Sequence, residues 1–137
     1  MLLTIDGTQR FHGEEPETTK LVTDGTLRTE DGVLFLSYAE SELTGMRGTL
    51  TTFRIEKDCV TLTRTGTVES VMTFAVGKED RSLYDVGFGA LMITVCADTI
   101  RSDMSETGGT LDVTYSIVIE QAAAGSVHYR ITARPKE

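Results

Sequence analysis

Few residues in this chain have the type and spacing that chemistry needs. Its two histidines, His12 and His128, are far apart in sequence, and neither stands at a metal-ligand interval from Cys59 or Cys96. No metal site and no cofactor are therefore expected. No Ser, Thr or Cys sits in a nucleophile elbow, and both histidines fall at polar or outward positions, so a catalytic triad has no general base. The segment Gly87-Phe88-Gly89 opens like a dinucleotide fingerprint but lacks the third glycine and the following helix, and it reads as a turn. Carboxylate pairs such as Glu14/Glu15 and Glu79/Asp80 lie in turns or strand ends, where such groups are solvated. No catalytic residue is named, and a non-enzymatic role is expected.

What remains is a set of polar side chains at inward positions. Residues two apart on a strand share a face. From Val60 and Leu62 the inner face extends to Arg64, and from Leu91, Ile93, Val95 and Ala97 it extends to Thr99 and Arg101. Leu34, Leu36, Tyr38 and Glu40 share another inner face, and Tyr84 and Tyr115 belong to inward-looking runs. A buried guanidinium must be paired or hydrated, since leaving it uncompensated costs several kcal/mol. Two roles fit this set. The arginines could close the ends of a barrel, bonding carbonyls or acidic neighbours such as Glu40. Alternatively, Arg64 and Arg101 form a cationic fork for the carboxylate or phosphate of a small amphiphile, with Tyr38, Tyr84 and Tyr115 as further ligand-binding donors and Met72, Phe74, Phe53 and Ile55 as walls.

The elements that must position these residues are strands. The apolar period is two nearly throughout, clearest at 109–120, where Leu111, Val113, Tyr115, Ile117 and Ile119 alternate with mostly polar neighbours. Similar runs fall at 2–11, 18–30, 32–40, 47–57, 59–66, 70–76, 81–86 and 90–101, and the last strand carries Val127, Tyr129, Ile131 and Ala133 on one face. Asp31-Gly32, Lys57-Asp58, 106–109 and 122–125 supply hairpin turns. Asp6-Gly7 and Asp24-Gly25 fall inside strands and predict bulges or sharp bends. With no amphipathic helix to cover a sheet face, a mostly up-and-down antiparallel barrel of about 8–10 strands is expected, ahead of a sandwich. One domain spanning 1–137 is expected.

The chain has 137 residues and a net charge of -8. That charge repels nucleic acid and anionic membrane surfaces, so neither is an expected partner. The first ten residues lack a basic region followed by an apolar run, and nothing approaches the ~18 apolar residues of a membrane span. A cytoplasmic location is expected, with Cys59 and Cys96 as thiols.

Several of these residues together resemble a known family. Leu34-Phe35-Leu36-Ser37-Tyr38-Ala39-Glu40, Gly48-Thr49 through Thr52, Val60-Thr61-Leu62-Thr63-Arg64-Thr65-Gly66, and the segments 84–91, 100–103 and 109–115 are similar, in type and order, to the YwiB-like family of bacterial proteins. The resemblance covers essentially the whole chain. It implies a lipocalin-like barrel of the calycin superfamily and an intracellular protein, and it offers no catalytic or ligand residues to carry over. The leading expectation is a binding protein for a small apolar or anionic ligand held inside the barrel. The alternative is a structural or regulatory protein-interaction module acting through its outer surface, for which a homodimer or an exposed apolar patch would be the sign. An enzyme using the barrel cavity comes third.

Overall fold

A computed structural model describes residues 1–41, 46–85, 87, 89–120 and 123–135. Among the described residues ten strands run in chain order: β1 (Leu2–Phe11), β2 (Glu17–Glu30), β3 (Val33–Ala39), β4 (Thr49–Ile55), β5 (Cys59–Gly66), β6 (Ser70–Ala75), β7 (Glu79–Asp85), β8 (Ala90–Ser102), β9 (Gly109–Ile119) and β10 (Ala123–Arg134). They form one antiparallel sheet in the order β6-β5-β4-β3-β2-β1-β10-β9-β8-β7, so chain neighbours pair and the first strand meets the last. The ends of this sheet, β6 and β7, meet at a seam. Glu69 and Asp85 exchange both backbone bonds there, at 2.8 and 2.9 Å, and the Gly77 N–H donates to the Ala97 carbonyl at 3.0 Å. Between those points the Asp80 carboxylate accepts the Thr73 N–H at 2.9 Å. The result is a nearly closed up-and-down barrel, consistent with the lipocalin-like form expected. No helix among the described residues is long and apolar enough to cross a membrane.

Turn chemistry explains much of the path. Asp31 and Gly32 both adopt positive φ, 53° and 78°, the conformation of a tight two-residue hairpin turn between β2 and β3. The Lys57-Asp58 turn is closed by the Glu56 N–H donating to the Cys59 carbonyl at 2.9 Å. At Asp24-Gly25 the long β2 changes partner: it pairs with β1 up to Asp24 and with β3 from Gly25. This is the bend the Asp-Gly pair suggested. Asp6-Gly7, in contrast, is neither a bulge nor a break, because β1 keeps unbroken register with both β2 and β10 through it. The turn between β9 and β10 also falls earlier than predicted. Ala123, Ala124 and Gly125 already pair with β9, and Glu120 takes the positive φ of 53°; residue 122 lies outside the described residues.

The barrel's inner face is packed through its middle. Leu3, Leu36, Val60, Val95, Leu111 and Ile131 are fully buried, each alternating with outward neighbours. Two ring contacts cross the interior: Phe53 of β4 to Tyr129 of β10, centroids 5.8 Å apart, and Phe74 of β6 to Tyr115 of β9, 4.5 Å apart. Neither strand pair is adjacent in the sheet, so these rings fill the space between opposite walls. On the outer wall, Phe35 lies between Arg28 and Arg54, its register partners, whose guanidiniums cover the ring at 4.7 and 6.0 Å.

The bend at Gly25 depends on the missing side chain. A Cβ there would stand 2.5 Å from Leu3 Cδ1 and 2.7 Å from the Ser37 carbonyl oxygen. Gly25→Ala is expected to cost about 1–3 kcal/mol through overpacking. Gly7→Ala should cost less, because its nearest neighbour, Thr19 Oγ1, lies at 3.3 Å. Urea denaturation of the two variants checks this, and equal midpoints would contradict it.

Candidate functional site

The polar interior gathers towards one end of the barrel. Tyr38, Thr51, Arg64 and Ser70 stand in register across β3, β4, β5 and β6, all on the inner face. The antiparallel pairing of Glu69 with Asp85 sets Tyr84 level with Ser70 across the seam. One step further along β3, Glu40 leaves the strand with its N–H bonded to the Thr49 carbonyl at 2.9 Å. Alternation on five short strands thus brings to one level residues that are widely separated in sequence.

The centre of this belt is a buried ion pair. Arg64 Nε lies 4.0 Å from Glu40 Oε2, and the two side chains are only 10% and 1% exposed. Thr51 Oγ1 donates to the same Oε2 at 2.5 Å. Glu40 Oε1 and Arg64 Nε have no hydrogen-bond partner, and the Ser70 and Ser82 hydroxyls are likewise buried without one. Around the pair, the Tyr38 and Tyr129 hydroxyls bond each other at 3.1 Å, and the Tyr84 hydroxyl donates to Met46 Sδ at 3.3 Å. A cavity of about 250 Å³ opens beside them, lined by Ile5, Gln9, Leu21, Tyr38, Glu40, Met46, Arg64 and Tyr129, with Thr19 and Lys20 at its edge.

Burial decides the state of the phenols. It pushes Tyr38 far above the ordinary range, reinforced by Tyr129 and the Glu40 carboxylate and only partly opposed by Arg64. Burial likewise pushes Tyr115 up to about 12, with Arg64 opposing. Tyr129 is raised by burial although its bond to Tyr38 and the Arg64 charge pull it down. All three are neutral at physiological pH. They are hydrogen-bonding groups rather than bases.

Of the five candidate ligand-binding residues, four face inward. Tyr38 and Tyr115 are buried, Tyr84 is partly buried against the core, and Arg64 lies in the cavity wall. Arg101 does not. In β8 the pairing with β9 shifts between Ala97, opposite Tyr115, and Thr99, opposite Thr114. The extra residue, Asp98, is a β-bulge that reverses the alternation, so Ile100 packs against the core and Arg101 is exposed. Leu91 is also 43% exposed, because it extends beyond Ile119, the last β9 residue paired with β8.

Outside, Arg101 joins a cross-strand row of alternating charge: Arg101, Asp112, Arg130, Asp6 and Lys20 on β8, β9, β10, β1 and β2. Asp112 accepts from Arg130 Nε at 2.9 Å and bonds His128 Nε2 at 2.8 Å. Its partial burial opposes ionisation, but these two partners outweigh that and hold its carboxyl below the usual value. His12 is exposed in the turn after β1, so both histidines lie away from the cavity. Cys59 and Cys96 are free, partly buried thiols, and no cluster among the described residues has three or more groups suited to a metal.

Sequence reading did not single out Tyr129, Thr51 or Ser70 as site residues. Tyr129 was visible only as one of four inward positions on the last strand, and its hydroxyl was the signal, since a buried phenol needs a partner. Glu40 was visible as an inward neighbour, but its contact with Arg64 depends on β3 and β5 flanking β4.

An antiparallel barrel with a polar cavity at one end defines the class of protein. The family model described as "Domain of unknown function (DUF1934)" matches residues 3–131, and the chain belongs to that family. The fold is similar to that of the ywiB protein from Bacillus subtilis, whose crystal structure matches with a TM-score of 0.84 at 19% identity, covering 98% of this chain and 91% of that one. The resemblance seen in the sequence is thus borne out. No curated protein matches the chain.

The tyrosines carry a pH consequence. A phenol whose folded pKa is raised contributes no penalty below its unfolded value, 10.0 for Tyr115, and its stabilisation is lost as pH climbs through the folded value of about 12. Absorbance at 295 nm should therefore report Tyr38, Tyr115 and Tyr129 ionising only together with unfolding above about pH 10. Ionisation of all four tyrosines in a chain that stays folded would contradict this.

Proposed function

We propose that the protein binds a small molecule inside the barrel, at the end where Tyr38, Glu40, Arg64 and Tyr129 meet. The observation that supports this is a cavity beside a buried charge pair that retains unused hydrogen-bonding capacity. A barrel interior needed only for stability would be served as well by apolar side chains, since buried ion pairs commonly contribute no more than a hydrophobic replacement. The cavity also limits size. Its volume of about 250 Å³ is below that of typical drug-sized pockets and corresponds to roughly eight water-sized groups. Whatever its head group, the small apolar or anionic ligand expected from the sequence is accordingly narrowed to a short molecule, because the rings of Phe53, Phe74, Tyr115 and Tyr129 occupy the space a long chain would need. A calycin-type barrel, if that kinship is extended to this chain, supports an enclosed ligand by analogy of fold alone.

Native mass spectrometry of the protein purified from cells tests this reading. A retained molecule below ~150 Da is expected, at about 20 Da per water-sized group, and Leu21→Phe, which fills the cavity, should abolish it. A protein that is empty and shows no thermal stabilisation by any short amide, acid or amine would contradict it.

One observation favours a second reading, an outer-surface module that self-associates as a homodimer. Val71, Leu83 and Met92 are exposed and form one outward row across β6, β7 and β8, with Leu83 directly opposite Met92 and Val71 level with Leu83 across the seam. Light scattering should then show a dimer that Leu83→Glu dissociates. A monomer at all concentrations would remove this reading.

A further inference from the structure

We infer that the head group this cavity takes is a neutral one presenting an acceptor and a donor on the same edge, as a carboxamide, lactam or urea does, rather than an anion. The inference rests on the cavity-binding reading above and assigns its ligand class. Arg64 already has its counter-charge, Glu40 Oε2 at 4.0 Å, and both side chains are at least nine-tenths buried. A ligand carboxylate would share one guanidinium with Glu40 in a poorly solvated space, where like charges repel strongly. A ligand ammonium would meet the same difficulty with Arg64, whose charge cannot be relieved by deprotonation. The pair therefore fixes the site near electrical neutrality, with Lys20 only at the exposed edge.

The hydrogen-bond capacity points the same way. Glu40 Oε2 is used by Thr51, whereas Oε1 has no donor, and Arg64 Nε has no acceptor. Both atoms are enclosed, so a small parting of the two side chains, which at 4.0 Å are not hydrogen-bonded to each other, gives one acceptor and one donor that match the N–H and carbonyl of an amide edge. The phenols add to this without changing the charge. In the Tyr38–Tyr129 bond one hydroxyl donates, which leaves the other's hydrogen free for a carbonyl oxygen. The apolar part of the lining, Ile5, Leu21 and Met46, suits a short alkyl tail, and Met46 is the side chain able to adjust to it.

Isothermal titration of the whole chain with pentanamide, pentanoate and pentylamine, which share a tail and differ in head group, tests the assignment. Pentanamide should bind at least ten-fold more tightly than the other two, and Leu21→Phe should abolish that binding. In Glu40→Gln the guanidinium loses its counter-charge, and pentanoate should become the preferred ligand. A purely structural ion pair would not produce that reversal. Preference of the wild-type protein for pentanoate or pentylamine, or equal affinity for all three, overturns the head-group assignment while leaving cavity binding in place. Absence of saturable binding by any of the three overturns the head-group assignment, and only together with an empty protein in native mass spectrometry does it overturn cavity binding as well.

Discussion

Closure of a single sheet is the constraint on which the rest of this molecule depends. Among the described residues, ten strands with no covering helix can bury one face only by curling round on themselves, and the pairing of β1 with β10 joins the two halves of the meander. Curvature has to be supplied locally. Gly25 lets β2 leave one partner for the next at a point where any side chain would strike Leu3 and Ser37. Asp98 adds a residue to β8 and changes its twist relative to β9. The seam between β6 and β7 absorbs what closure does not complete, and there a side chain, Asp80, takes a place that a ladder bond would otherwise hold.

Closure also explains the character of the interior. Opposite walls are near enough for rings to touch across the lumen, so the middle is a packed core. Towards one end the inward positions become polar, and the charged pair there is almost wholly removed from water. Thr51, Tyr38 and Tyr129 supply part of the hydrogen bonding, and Oε1 of Glu40 and Nε of Arg64 are left over. Buried polar groups without partners are uncommon in native proteins, which is why this end of the barrel carries the functional reading. The outer wall solves its own electrostatics separately, by placing opposite charges beside one another from Arg101 to Lys20 across five strands.

Much of this was legible in the amino-acid sequence because alternation is a local property. The inward placing of Leu36, Tyr38, Leu62, Arg64, Leu111 and Tyr115 follows from counting by two along uninterrupted strands, and the Asp31-Gly32 turn from residues that tolerate positive φ. The barrel itself follows from the absence of any other way to cover those faces. Where counting failed, the cause was an irregularity without a local signature: Asp98 resembles any other polar strand residue, yet its bulge turned Arg101 outward and brought Ile100 in.

The sequence by itself determined which side chains face inward along uninterrupted strands, because side-chain direction there is set by neighbours one and two residues away. Tertiary structure alone decided which of them meet. Glu40 finds Arg64, and Tyr38 finds Tyr129 although 91 positions separate them, because strand order and register are set by closure of the whole sheet. Tertiary structure also decided that the interior is filled in the middle and open at one end, since that depends on how rings from opposite walls share the lumen, a matter of three-dimensional packing that no single strand encodes.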